Sequence, residues 1–155
     1  MTEAAPPGTT SFDPFERVRL GRTEVLVDQL GIGTNPLGGL HQEIPHAVAR
    51  ATIETAWRTG VRYYDVAPVY GYGFSERVVG EVLREQPRDE YLLTTKVGRL
   101  LLDDGPADHE DTMVLWDGVQ LYKGTDAVKP YFDFSYDGVM RSLDASRERT
   151  GIERF

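Results

Sequence analysis

The 155 residues carry 25 acidic against 17 basic side chains, a net charge of -8, with 40% hydrophobic content. That length and apolar fraction suffice for one domain with a sizeable core, while the acidic balance and scattered basic residues argue against a nucleic-acid or anionic-membrane partner. Without cysteine there is neither a disulfide framework nor a thiolate metal site, and no apolar run reaches the ~20 residues of a membrane helix, so the expectation is a cytoplasmic protein with a small-molecule partner.

Residues 1–16 are rich in Ala, Pro, Gly and Thr, lack apolar periodicity and have no signal-peptide pattern; they read as a disordered tail ahead of a domain at 17–155. Polar and apolar residues alternate at 17–20 and 24–27 around Gly21, Arg22 and Thr23, which predicts a short hairpin. Residues 30–34 form a short candidate strand opening into a Gly-rich loop. Ala49, Ile53, Ala56 and Trp57 then recur at helical spacing within 45–59, with Gly60 as the stop.

A β-favouring run at 61–66 contains Asp65 near its end. Ser75 is placed to cap a second helix with Val78, Val79, Val82 and Leu83 on one stripe and Glu76 in the favourable first turn. Residues 91–97 are the clearest strand in the chain and contain Lys96. A long irregular loop is expected at 98–134. Ser135 then caps a third helix that presents Tyr136, Val139, Met140 and Leu143 on one face and ends at Gly151; Gly138 inside it costs about 1 kcal/mol relative to Ala and favours a later start.

Strands alternating with amphipathic helices imply an α/β fold with a parallel sheet and right-handed crossovers, so the loops that follow the strands gather at one end. Asp65, Tyr70 and Lys96 all fall there. Lysine occurs only at 96, 123 and 129, and an ammonium at the end of a buried strand needs a counter-ion; Asp65, one strand earlier, is the obvious one. Tyr70 lies in the loop Pro68-Val69-Tyr70-Gly71-Tyr72-Gly73, whose glycines allow close backbone approach. A phenol beside an ammonium gives up its proton more readily, which equips it for proton transfer to or from a carbonyl oxygen. On spacing alone, a structural ion pair and a tyrosine that merely packs serve equally well.

The stretch Tyr63-Tyr64-Asp65-Val66-Ala67-Pro68-Val69-Tyr70-Gly71, followed after a helix by Leu93-Thr94-Thr95-Lys96-Val97-Gly98, resembles the aldo/keto reductase superfamily. Asn35-Pro36-Leu37-Gly38-Gly39 and the run from Ser135 to Leu143 look most like its D-threo-aldose (L-fucose) 1-dehydrogenase and pyridoxal 4-dehydrogenase branch. The resemblance implies a (β/α)8 TIM barrel, here its N-terminal portion with a leading hairpin and about three βα units. It implies NAD or NADP as cofactor and hydride transfer to or from an aldehyde, lactol (aldose) or alcohol. By matching position, Tyr70 is the acid/base, Lys96 the group that acidifies it, and Asp65 the partner that orients Lys96. Gly33, Thr34 and Asp65 lie along the nicotinamide ribose.

The family's fourth residue, a histidine, ends the strand after the third helix, where this chain reaches Phe155; His41, His46 and His109 lie elsewhere. A complete barrel takes about 250 residues, so the expectation is a truncated part that is inactive alone and has open sheet edges through which it can associate. A non-catalytic cofactor-binding or assembly subunit of the same fold, as in potassium-channel beta subunits, is the alternative.

Neither Gly31-Ile32-Gly33 nor Gly71-Tyr72-Gly73 completes a dinucleotide fingerprint, since Pro36 and Glu76 stand at the sixth positions. The acidic residues Asp103, Asp104, Asp108, Glu110 and Asp111 around His109 match no ligand spacing, so no metal is expected. Trp116, Tyr122, Tyr131, Phe132 and Phe134 concentrate aromatics in the long connection, as expected of a segment covering a substrate.

Overall fold

The computed structural model describes residues 13–103, 115–125 and 128–155. The chain enters through an antiparallel hairpin, β1 (Arg17–Arg19) and β2 (Leu26–Asp28), with Val18 opposite Val27. Its turn closes through the Leu20 amide, which donates to the Val25 carbonyl (2.9 Å), and the Thr23 hydroxyl, which donates to the Leu20 carbonyl (2.7 Å). Most of the expected tail lies outside the described residues. Its last part, 13–16, departs from that expectation: the amides of Gln29 and Leu30 donate to the carbonyls of Glu16 and Pro14, which extends the hairpin.

Three strand-helix units follow. β3 (Ile32–Gly33), β4 (Tyr63–Asp65) and β5 (Leu92–Thr94) form a parallel sheet in that spatial order, with Gly33 level with Asp65 and Asp65 level with Thr94. The helices are α1 (His46–Arg58), α2 (Phe74–Leu83) and α3 (Tyr136–Thr150). Pro45 stands at the N-cap of α1, where a missing N–H costs nothing, and Gly60, at φ 98°, turns the chain out of the helix. The core lies between sheet and helices. Ala49, Ile53 and Ala56 of α1 and Val78, Val79, Val82 and Leu83 of α2 pack on Tyr64, Val66 and Leu93. Their spacing is the one the sequence periodicity predicts.

Three expectations need correction. Ser75 does not cap α2: Gly73 stands at the N-cap, at φ 87°, and Ser75 sits inside the first turn with its hydroxyl turned onto Thr34, just after β3. Ser135 does cap α3, accepting from the Gly138 amide (3.1 Å), and the helix starts at Tyr136, ahead of Gly138. However, its buried face is the small polar stripe Gly138, Ser142, Ser146 and Thr150, whereas Tyr136 is 79% exposed. Small residues win that face because α3 comes within backbone contact of α2: a Cβ on Gly80 would stand 2.1 Å from the Thr150 carbonyl oxygen.

The connection at 98–134 is also not irregular throughout. β6 (Arg99–Leu102) pairs antiparallel with β9 (Lys129–Phe132), and β7 (Leu115–Trp116) with β8 (Val119–Gln120). Pro130 argues against a strand in the sequence, but in a two-stranded ribbon every strand is an edge and the lost donor is tolerated. Of the acidic residues around His109, only Asp103 falls within the described residues. Among those residues no helix is long and apolar enough to cross a membrane, and no cluster of three or more candidate ligands for a metal ion occurs.

Candidate active site

Parallel strands deliver their ends to one place, and Asp65, Tyr70 and Lys96 meet there. Asp65 ends β4. Its Oδ1 accepts from the Thr94 hydroxyl (2.8 Å) and its Oδ2 from the Lys96 ammonium (2.7 Å), which also donates to the Val66 carbonyl (3.1 Å). Thr94 and Lys96 reach the same carboxylate because alternate residues of a strand project to the same side. The pair is less buried than the sequence implied: the side chains of Lys96 and Asp65 are 49% and 33% exposed. The strand ends form an open mouth, so the ammonium sits at a rim, not in the core.

Tyr70 is brought over Lys96 by its loop. The backbones of the first strand-helix loop and of this turn touch: a Cβ on Gly38 would lie 2.4 Å from the Gly71 nitrogen, and one on Gly71 would lie 2.4 Å from the Gly38 oxygen. Gly71 also takes φ 63°, and Tyr72 follows at φ 50°, so the turn is tight and partly left-handed. The Lys96 nitrogen stands 4.8 Å from the centre of the Tyr70 ring. Burial pulls the Lys96 ammonium down, but its hydrogen bonds to Asp65 and Tyr70, with the attraction of both, outweigh that and hold it above the usual lysine value.

Gly33 and Thr34 differ in what they offer. Gly33 is exposed, level with Asp65, and nothing lies within 4 Å of where its side chain would stand. Thr34 is fully buried; its hydroxyl donates to the Asp65 carbonyl (2.8 Å) and accepts from the Ser75 hydroxyl (2.6 Å). With its oxygen committed, the Thr34 side chain holds the sheet end together and has no donor left for a ligand.

Further residues join the site that the sequence alone did not disclose. Thr94 orients Asp65, and Glu76, fully buried, accepts from the Thr95 hydroxyl (2.9 Å) and from Arg149 Nε (2.5 Å). The 98–134 connection crosses the first loop: the Lys123 amide donates to Gly39, the His41 amide to Leu121, and the Tyr122 hydroxyl to Asn35 Oδ1 (2.5 Å). Tyr122 and Tyr131 are buried, Tyr122 edge-on to Tyr72, while Phe132 and Phe134 stack on each other and stay exposed. His46, at the start of α1, pairs with Glu81 of α2. A cavity of about 400 Å³ lies at the opposite end of the strands, lined by the hairpin with Arg62, Arg88 and Tyr91.

The model of the aldo/keto reductase family matches residues 29–155. The chain belongs to that family. It is 42% identical over 143 residues to the pyridoxal 4-dehydrogenase of Microbacterium luteolum, covering 88% of this chain and 40% of that protein. It is 36% identical over 129 residues to the D-threo-aldose 1-dehydrogenase of a Pseudomonas species, covering 83% and 38%. A solved aldo-keto reductase from Bacillus halodurans, in its holo form, superimposes with a TM-score of 0.61 at 21% identity, covering 88% of this chain and 37% of that one. The fold is therefore part of an aldo/keto reductase (β/α)8 barrel. The chain spans about two fifths of the length of these relatives.

Proposed function

We propose that this chain supplies the proton-transfer residues of an NAD(P)-dependent oxidoreductase acting on an aldehyde, a lactol or the corresponding alcohol. The observation that carries this reading is the contact chain from Thr94 through Asp65 to Lys96 and on to the ring of Tyr70, all at the carboxyl ends of parallel strands. A structural ion pair has no need of a partly exposed phenol on its ammonium.

The residues present fit the nicotinamide end of such a cofactor. Gly33 leaves an open face level with Asp65, at the mouth where Tyr70 and Lys96 converge, and a flat ring needs that room. Gly33 would give close backbone approach, Asp65 would lie along the ribose, and Thr34 would keep the two strand ends in register. When bound, the nicotinamide supplies or accepts the hydride.

Everything else falls to the chain's own groups. In the oxidative direction, Tyr70 takes the proton of the substrate hydroxyl as that carbon gives up its hydride; in reduction it donates the same proton to the carbonyl oxygen. Lys96 stabilises the phenolate, and Asp65 keeps the ammonium from swinging to solvent. Lactols and aldehydes are favoured as substrates because both curated relatives are named for oxidising them, an aldose and pyridoxal. NAD and NADP are both compatible with the residues in hand. The test is a chimera joining this chain to the remaining barrel of the 42%-identical relative. NAD(P)-linked oxidation of an aldose or of pyridoxal is expected, and a folded chimera that oxidises neither contradicts the proposal.

A further inference from the structure

The first turn of α2 touches every strand end that carries the site. Ser75 donates through its amide to the Tyr70 carbonyl (3.2 Å) and through its hydroxyl to Thr34, which holds the Asp65 carbonyl. The next residue, Glu76, divides its two oxygens: Oε1 accepts from Thr95, the residue before Lys96, and Oε2 from Arg149 near the end of α3. Glu76 is fully buried and the Arg149 side chain is 17% exposed. A buried carboxylate is an expensive way to hold two helices together, since well-packed apolar side chains serve cohesion as well or better. An ion pair adds direction. Here the direction runs to the Thr95 side chain, beside Lys96, and its far end is fixed by α3.

We infer that Glu76, braced by Arg149, is a positioning residue: through the Thr95 hydroxyl it fixes the end of β5 so that Lys96 stays on Asp65 and Tyr70. The inference rests on the proposed function only for the meaning of Lys96; the geometry stands apart from it. Loss of the Thr95 bond lets the strand end relax and lengthens the contacts of Lys96. The raised titration of Lys96 depends on those contacts, so it reports their loss.

The chain contains three lysines, so ε-carbon-labelled lysine gives three signals, assigned through Lys123→Arg and Lys129→Arg. The signals are followed against pH by nuclear magnetic resonance in the 155-residue chain, with thermal melts to confirm folding. Thr95→Val removes the hydroxyl and leaves the Glu76–Arg149 pair intact; Glu76→Gln weakens both. In each, Lys96 should titrate lower, toward the ordinary lysine value, while Thr95→Ser keeps the wild-type midpoint. If Glu76→Gln does not fold, Thr95→Val decides alone. An unchanged Lys96 midpoint in folded Thr95→Val overturns the inference and leaves the site reading standing. A wild-type Lys96 that titrates as an ordinary lysine also overturns the inference, while the site reading is decided apart from it by the activity of the chimera.

Discussion

Asp65 gives one oxygen to a neutral hydroxyl and the other to an ammonium, and this division fixes the direction in which Lys96 points. Tyrosines differ from one another just as sharply. Tyr64, fully buried beneath the sheet, donates to the Val61 carbonyl, and burial pushes its phenol up to about 12; Tyr122 is pushed to about 12 by burial and by the nearby Tyr70 and Tyr72. A raised phenol value means that the unfolded chain ionises first. The stability these two residues lend is therefore complete below pH 10, their ordinary value, and is lost as pH rises through about 12. Alkaline titration by phenolate absorbance should show a late group that coincides with unfolding. It should shrink in Tyr64→Phe; a single transition at the ordinary tyrosine value contradicts this. Asp65, Tyr70 and Lys96 were legible in the sequence because lysine is rare and this one ends a strand. Glu76 and Arg149 were not. A glutamate in a first turn and an arginine in a last turn read as partners of the helix dipole, and nothing local signals that two residues 73 positions apart bond to each other.

At the scale of elements, periodicity located α1, α2 and the three parallel strands, since each has one apolar face against a shared core. It misjudged α3. Tyr136, Val139, Met140 and Leu143 make an apolar stripe, yet the helix turns Gly138, Ser142, Ser146 and Thr150 inward, because close approach to α2 rewards small side chains over large ones. Gly80 makes that approach possible. Gly80→Ala gains about 1 kcal/mol of helix propensity, but its methyl meets the Thr150 carbonyl, and overpacking of this kind costs about 1–3 kcal/mol. A lowered melting temperature is expected, and a raised one would show that α2 and α3 are less tightly apposed. The ribbon of β6 and β9 is hidden in the sequence for a different reason: Pro130 breaks the strand pattern, and the pairing partner lies far along the chain.

For the whole molecule, the sheet of β3, β4 and β5 is a segment of a barrel whose other members in the family lie outside these 155 residues. The open mouth at the strand ends explains why the side chains of Lys96 and Asp65 are 49% and 33% exposed. It also bears on affinity, because in the proposed function Gly33 and Asp65 would reach only the nicotinamide end of a dinucleotide. Fluorescence titration of the 155-residue chain with NADPH should therefore give binding much weaker than micromolar; a micromolar dissociation constant would mean that these residues hold the cofactor unaided. In the proposed function Tyr70 moves the proton, and the chimera shows directly whether it does. Turnover of chimeric Tyr70→Phe should fall by on the order of 10²–10⁴-fold with the fold and melting temperature retained. Unchanged turnover in that variant would contradict the claim.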